Sequence, residues 1–150
     1  MRADLEVQVA SKEKDLPSDR DFMKWTQAAL QQEGAGVVIR IVDEEESRQL
    51  NHEYRGKDRP TNVLSFPFEA PPEVTSYHLG DLVICAPVVA EEAARQGKLL
   101  QHHWAHMVVH GMLHLQGYDH LNDADAERME SLERELLQNL GIPDPYRETA

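Results

Sequence analysis

Three histidines carry the strongest chemical pattern in this chain: His110-Gly-Met-Leu-His114-Leu-Gln-Gly117-Tyr-Asp-His120. Residues four apart on a helix share one face, with Cβ atoms roughly 5–6 Å apart. His110 and His114 can therefore reach one ion from a single helix. Gly117 follows three residues later. A glycine tolerates φ > 0, ends helices and turns the chain sharply. Past that turn, His120 can swing back to the same ion. Three neutral imidazoles with one position left over suit a catalytic zinc; structural zinc sites usually have four protein ligands.

A pair of histidines four apart is, by itself, most often an exposed helix face. The glycine and the third histidine at metal-site spacing shift the balance to a ligand set. The spacing is that of the metzincin protease signature, H-E-x-x-H-x-x-G-x-x-H, with one departure. Gly111 stands where that signature has its Glu general base. The cage looks protease-like, while the group that would take a proton from water is missing.

A second stretch bears chemistry of another kind. Tyr54-Arg-Gly-Lys-Asp-Arg-Pro-Thr-Asn62 concentrates Arg55, Lys57 and Arg59 in a loop punctuated by Gly and Pro. It is the one basic cluster in a chain of formal net charge -12. The bland reading is a solvated loop. The functional one is phosphate contact, because the arginine fork matches phosphate oxygens. The overall charge argues against indiscriminate attraction to nucleic acid but leaves room for a local basic site.

These residues need elements to hold them. Leu5, Val7 and Val9 alternate with Glu6 and Gln8, as in a half-buried strand. Ser18 is placed to cap a helix running to about Glu33, with Phe22, Trp25, Ala29 and Leu30 on its inner face. Val37 to Val42 reads as a central strand. Asp43, with Glu46 three residues on, predicts a capping box for a helix reaching about Tyr54. Val63 to Phe66, closed by Pro67, and Leu79 to Ile84 are two further strands. Pro87 suits the first turn of a helix through about Gln96.

The motif helix runs from about Leu99 to Gln116. Trp104, Met107, Val108, Met112, Leu113 and Leu115 give it apolar surface on several sides, so it should be buried and central. On it, His102 and His103 are expected to face solvent or a partner, and His106 to pack or to support the ligands. Asp123 is the expected cap of a last helix with Met129, Leu132, Leu136 and Leu137 inward. Gly141, Pro143 and Pro145 should stop it, leaving a loose tail to Ala150. The order β-α-β-α-β-β-α-α-α predicts an α+β fold: a small mixed sheet of roughly four strands packed by helices, with the histidine-bearing metal helix at its centre.

Length and composition fit one domain over residues 1–150. Hydrophobic content of 41% and charged content of 28% describe an ordinary globular chain. No apolar run approaches the ~20 residues that span a bilayer, so no membrane partner is expected. The charged start lacks a signal peptide's apolar stretch, and Cys85 has no cysteine to pair with. A cytoplasmic location follows as the expectation.

The motif around His110 resembles the H-G-x-L-H-L-x-G-Y-D-H signature of the YbeY-type rRNA maturation endoribonucleases, with Met112 and Gln116 at its variable positions. Tyr54 to Pro67 and Leu79 to Cys85 are similar to further segments of that family. The likeness extends from about Leu50 to Gly141. It implies a single-strand-specific, metal-dependent endoribonuclease that matures 16S rRNA and helps to remove defective ribosomes. It further implies zinc on His110, His114 and His120, an important arginine at Arg55, a bacterial cytoplasm and contact with the ribosomal small subunit. On this reading Arg55 and His114 are the catalytic residues, while Arg55, Lys57 and Arg59 contact RNA. Two rivals stand beside it. One is a metallopeptidase, weakened by Gly111. The other is a non-catalytic zinc protein of ribosome assembly, in which Asp119 or His106 closes the site as a fourth ligand.

Overall fold

The computed structural model describes residues 1–74 and 76–146. Its elements, in order, are β1 (Asp4–Ala10), α1 (Asp19–Ala29), β2 (Gly36–Val42), α2 (Glu44–Arg55), β3 (Val63–Pro67), β4 (His78–Cys85), α3 (Ala86–Gln96), α4 (Leu100–Leu115) and α5 (Asp123–Asn139). The strands form one mixed sheet in the order β1-β2-β4-β3. β1, β2 and β4 run parallel, and β3 pairs antiparallel with β4, Leu64 opposite Val83. The α+β architecture expected from the sequence is the one found.

The apolar periodicities explain the two layers. One face of the sheet offers Val37, Ile39, Ile41, Leu82 and Ile84 to Phe22 and Trp25 of α1, to Trp104, Val108 and Met112 of α4, and to Met129 and Leu137 of α5. The other face carries a smaller cluster, Val42, Leu64, Val83 and Cys85, covered by Leu50 of α2. Helix α4 is the central helix: 11 of its 16 residues are buried. Such a helix must be apolar on more than one side, and its polar groups must find partners inside the protein.

Several boundaries depart from the sequence reading for long-range reasons. α1 stops at Ala29 rather than near Glu33 because the side chain of Gln116, at the end of α4, takes over its exit. Gln116 Nε2 donates to Ala29 O at 2.8 Å, and its Oε1 accepts from Gln31 N at 2.7 Å. The expected capping box at α2 does not form. Asp43 instead accepts from the Ser11 hydroxyl and from Lys12 N, and Glu46 pairs with Arg40 of β2 at 2.6 Å. α5 is capped by Asn122, which accepts from Asp125 N at 2.9 Å, one residue before the expected Asp123. Ser18 caps α1 as expected.

The segment after α5 is anchored where the sequence predicts looseness. Lys98 Nζ donates to Pro145 O at 2.8 Å, and the Tyr146 hydroxyl bonds Glu133. The rest of the expected loose tail, 147–150, lies outside the described residues. Among the described residues no helix is long and apolar enough to cross a membrane.

Candidate metal centre

His110 and His114 project from one face of α4 near its C-terminal end. Gly117 follows the helix with φ +98°, a backbone region that favours glycine, and Tyr118 N donates back to Leu113 O at 3.0 Å. The turn brings His120 over the same face. Ring centroids stand 4.6 Å apart for His110 and His114, 5.1 Å for His114 and His120, and 5.8 Å for His110 and His120. Each ring offers a nitrogen within 4.8 Å of the others.

The donor set fits a zinc ion. His110 Nε2 and His114 Nε2 face each other at 3.1 Å. Two nitrogens bound to one tetrahedral zinc at about 2.0–2.1 Å stand about 3.3 Å apart. Burial first, then His110 and His120, bring His114 down from 6.5 to about 4. It is therefore neutral at pH 7, the form a metal takes. Neither Asp119 nor His106 joins this group among the described residues. Asp119 accepts from His120 N at 2.8 Å, and His106 turns to Glu133.

Glu133, on α5, is the group that sequence reading missed. It is the only buried acidic residue among the described residues, with 0% exposure. His110 Nδ1 lies 2.6 Å from its Oε1, and His106 Nε2 lies 2.9 Å from its Oε2, which also accepts from the Tyr146 hydroxyl. Burial alone would raise this carboxyl, but the hydrogen bonds from His106 and His110 prevail and hold it down at about 2. Burial, then the Glu133 charge, push the Tyr146 hydroxyl up, so it remains a donor. One signal was available: Glu133 lies four residues after Met129 and four before Leu137, within the apolar stripe of α5. A carboxylate at a core-facing position calls for partners.

The histidines upstream depart from expectation in part. His102 is half-buried, but His103 is 2% exposed, not solvent-facing. Its Nε2 lies 2.9 Å from Glu92 of α3, which also accepts from Asn62 at 3.1 Å. His106 supports the ligands through Glu133, as one of its two expected roles required.

Arg55, Lys57 and Arg59 are all exposed, the first at the end of α2 and the others in the loop that follows. Ser47 and Asn51 pin this loop to α2, through Ser47 Oγ to Thr61 O at 3.0 Å and Asn51 Nδ2 to Arg59 O at 2.8 Å. The end of α2 lies on the opposite face of the sheet from α4, yet at the same end as the histidines. Tyr54 packs on Phe66 with centroids 4.3 Å apart, and the neighbouring Pro67 pairs with Gly80, which abuts Leu115. Among the described residues, the side-chain hydrogen bonds and ion pairs of His110, His114 and His120 run to one another, to Asp119 and to Glu133, and none to the three basic side chains.

Two comparisons bear on what this arrangement belongs to. A family model described as Endoribonuclease YbeY matches residues 6–141. The chain belongs to the YbeY endoribonuclease family. The solution structure of TM1509 from Thermotoga maritima, described as VT1, a NESGC target protein, shares the fold at 25% identity and a TM-score of 0.52, covering 95% of this chain and 99% of that one. A YbeY endoribonuclease acts on RNA, so nuclease chemistry is the frame for the histidine group.

In this YbeY chain, the missing protease base has a packing cause. A Cβ at Gly111 would lie 2.8 Å from Leu82 Cδ2 and 3.3 Å from Val63 Cγ2. α4 meets the sheet at that point, so position 111 looks into the core and away from the histidine face. A glutamate there would have no room and no water to act on.

Proposed function

We propose that this chain is a single-strand-specific, metal-dependent endoribonuclease, one domain over residues 1–150, that works in 16S rRNA maturation and ribosome quality control. The convergence of His110, His114 and His120 in a chain of this family carries the reading. In it, the three histidines hold one zinc ion. Bound there, zinc would polarise a phosphoryl oxygen or lower the pKa of a water toward about 7.

The chain's own residues supply the rest. His114, neutral and part-buried, offers its Nε2 without first losing a proton. Arg55 presents its fork to the phosphate undergoing cleavage and stabilises the negative charge that develops there. Lys57 and Arg59 hold the flanking strand on the one basic loop of an acidic surface. Its attachment to α2 through Ser47 and Asn51 keeps that loop in register with the end of the sheet. The setting proposed is the bacterial cytoplasm, with the ribosomal small subunit as partner.

The test is cleavage of a labelled single-stranded RNA by purified protein, with and without chelator, beside His114→Ala. Cleavage is expected to require both the metal and His114. Undiminished cleavage in the variant would sink the metal role. Arg55→Ala should slow cleavage by about 10²–10³, the scale for losing one donor to a developing charge, with zinc content unchanged. Loss of zinc in that variant would make Arg55 structural instead.

A further inference from the structure

The buried carboxylate of Glu133 meets three polar groups, His110 Nδ1, His106 Nε2 and the Tyr146 hydroxyl, more than a single carboxyl proton could serve as donor. An ionised carboxylate is acceptor-only. The proton between His110 Nδ1 and Glu133 Oε1, 2.6 Å apart, therefore belongs to His110. A neutral imidazole protonated on Nδ1 carries its lone pair on Nε2. Nε2 is the atom that faces His114 Nε2 at 3.1 Å. The hydrogen bond on one side of the ring thus decides what the other side can do.

We infer that Glu133 is a positioning residue of the metal centre, fixing His110 as the Nδ1–H tautomer so that its Nε2 lone pair is presented to the ion. The inference rests on the proposal that the three histidines hold a metal. His106 and Tyr146 keep the carboxylate in place. His106 Nε2 lies 2.9 Å from Oε2, and its Nδ1 is buried without a hydrogen-bond partner among the described residues. Tyr146 comes from the segment after α5, so that segment reaches the ligand set through one hydroxyl. Its ring also stacks edge-on against His106, with centroids 5.4 Å apart. Residues from two parts of the chain, α4 and the segment after α5, converge on one carboxylate, and the carboxylate touches one ligand.

Glu133→Gln tests the assignment with little change of shape. An amide must donate from its nitrogen, so one imidazole facing it must become an acceptor. Oε2 serves two donors, His106 and Tyr146, and Oε1 only His110, so the amide oxygen takes the Oε2 side; the ring that must accept is then His110, its proton moves to Nε2 and ligation is blocked. The readouts are the ¹⁵N tautomer signals of His110 in the chelator-stripped full chain, and zinc affinity in solution.

The parent should show Nδ1–H on His110. Glu133→Gln should shift that signal and bind zinc about 10–100-fold more weakly, the usual cost of losing the group behind a histidine ligand. Tyr146→Phe should weaken zinc by a smaller factor without moving the tautomer. A merely structural Glu133 would lower stability and leave the tautomer alone. Should Glu133→Gln fail to fold, the parent spectrum and Tyr146→Phe decide. A parent that binds zinc yet carries the proton on Nε2 when stripped overturns the positioning role. So does a Glu133→Gln chain that binds zinc as tightly as the parent. A parent that binds no zinc at all overturns the metal reading beneath it.

Discussion

Helix α4 carries one row of histidines that divides into two regions with opposite fates. Upstream, His103 and His106 each put Nε2 on a carboxylate, Glu92 or Glu133, at 2.9 Å, and both are buried. Downstream, His110 and His114 turn nitrogens toward one another, and His120 leans in from the turn with half of its side chain exposed. His110 belongs to both regions, with Nδ1 on Glu133 and Nε2 toward His114. The helical repeat is the same in both. What differs is the neighbour. A carboxylate on Nε2 occupies the nitrogen that would otherwise be free for an ion and leaves His103 and His106 as core residues. Where imidazole nitrogens face one another instead, as His110 Nε2 and His114 Nε2 do, neutral rings turn lone pairs toward one point that a cation can occupy.

The largest effect that would break this contrast is on metal retention. His114→Ala or His120→Ala should weaken zinc by more than about 100-fold, above the range for residues that only support a ligand. His103→Leu should leave zinc binding as it is. Zinc titration of the three variants against a competing chelator checks both halves. Equal losses in all three would erase the distinction.

The upstream region should answer in stability instead. His103→Leu removes a hydrogen bond to the Glu92 carboxylate inside the protein, a loss of about 1.5–3 kcal/mol for a bond to a charged group. Chemical denaturation of parent and variant measures it. A variant as stable as the parent would mean that His103 is held by packing alone.

The row itself was legible in the sequence, and so was the turn at Gly117, because ligand spacing and glycine's φ > 0 are local properties. So were the four strands and the central burial of α4, which follow from apolar periodicity. The division of the row was not. Glu92 and Glu133 lie 11 and 27 residues from their histidines, and only packing brings them together. The same limit explains the failed capping box. Glu46 has a local use at the helix start, but Arg40 on β2 offers a charged partner that a neighbourhood of three residues cannot reveal. Gly111 read as an absent base; the sheet beneath it, Leu82 and Val63, supplies the reason. The basic loop was legible as composition, and its tie to α2 through Ser47 and Asn51 was not.

Acid should probe both regions at once in the chelator-stripped chain. His114 is brought down from 6.5 to about 4, by burial and then by His110 and His120. Between those values the unfolded chain binds a proton that the folded chain refuses, so stability falls as pH drops through the window. Burial lowers His106 as well, against the pull of Glu133, and acts in the same direction. Glu133 acts with the same sign in a lower window. Its carboxylate, lowered from 4.5 to about 2, stabilises the fold above about pH 4.5, and that support is lost as pH falls toward 2. Urea midpoints at several pH values should therefore decline from pH 6.5 to 4, and His114→Ala should flatten that decline in part. An unchanged slope in the variant would place the titration elsewhere.

The smallest expected effect sharpens the downstream region. Asp119 stands next to His120, accepts its backbone N–H at 2.8 Å, and keeps its carboxylate 3.8 Å from His120 Nδ1. It lies outside the ligand group, with half of its side chain exposed. Asp119→Asn preserves the acceptor for His120 N and removes only the charge. An exposed charge pair is worth about 0.2–1 kcal/mol, so zinc affinity should fall by less than about fivefold on the same scale. Asp119→Ala, which also loses the turn contact, should cost more than Asp119→Asn, because the backbone at His120 is then free to move. A loss approaching that of His114→Ala in Asp119→Asn would mean that the carboxylate binds the ion. The site would then be closed by four protein ligands, as in structural zinc centres, and the non-catalytic assembly factor would replace the nuclease as the better reading.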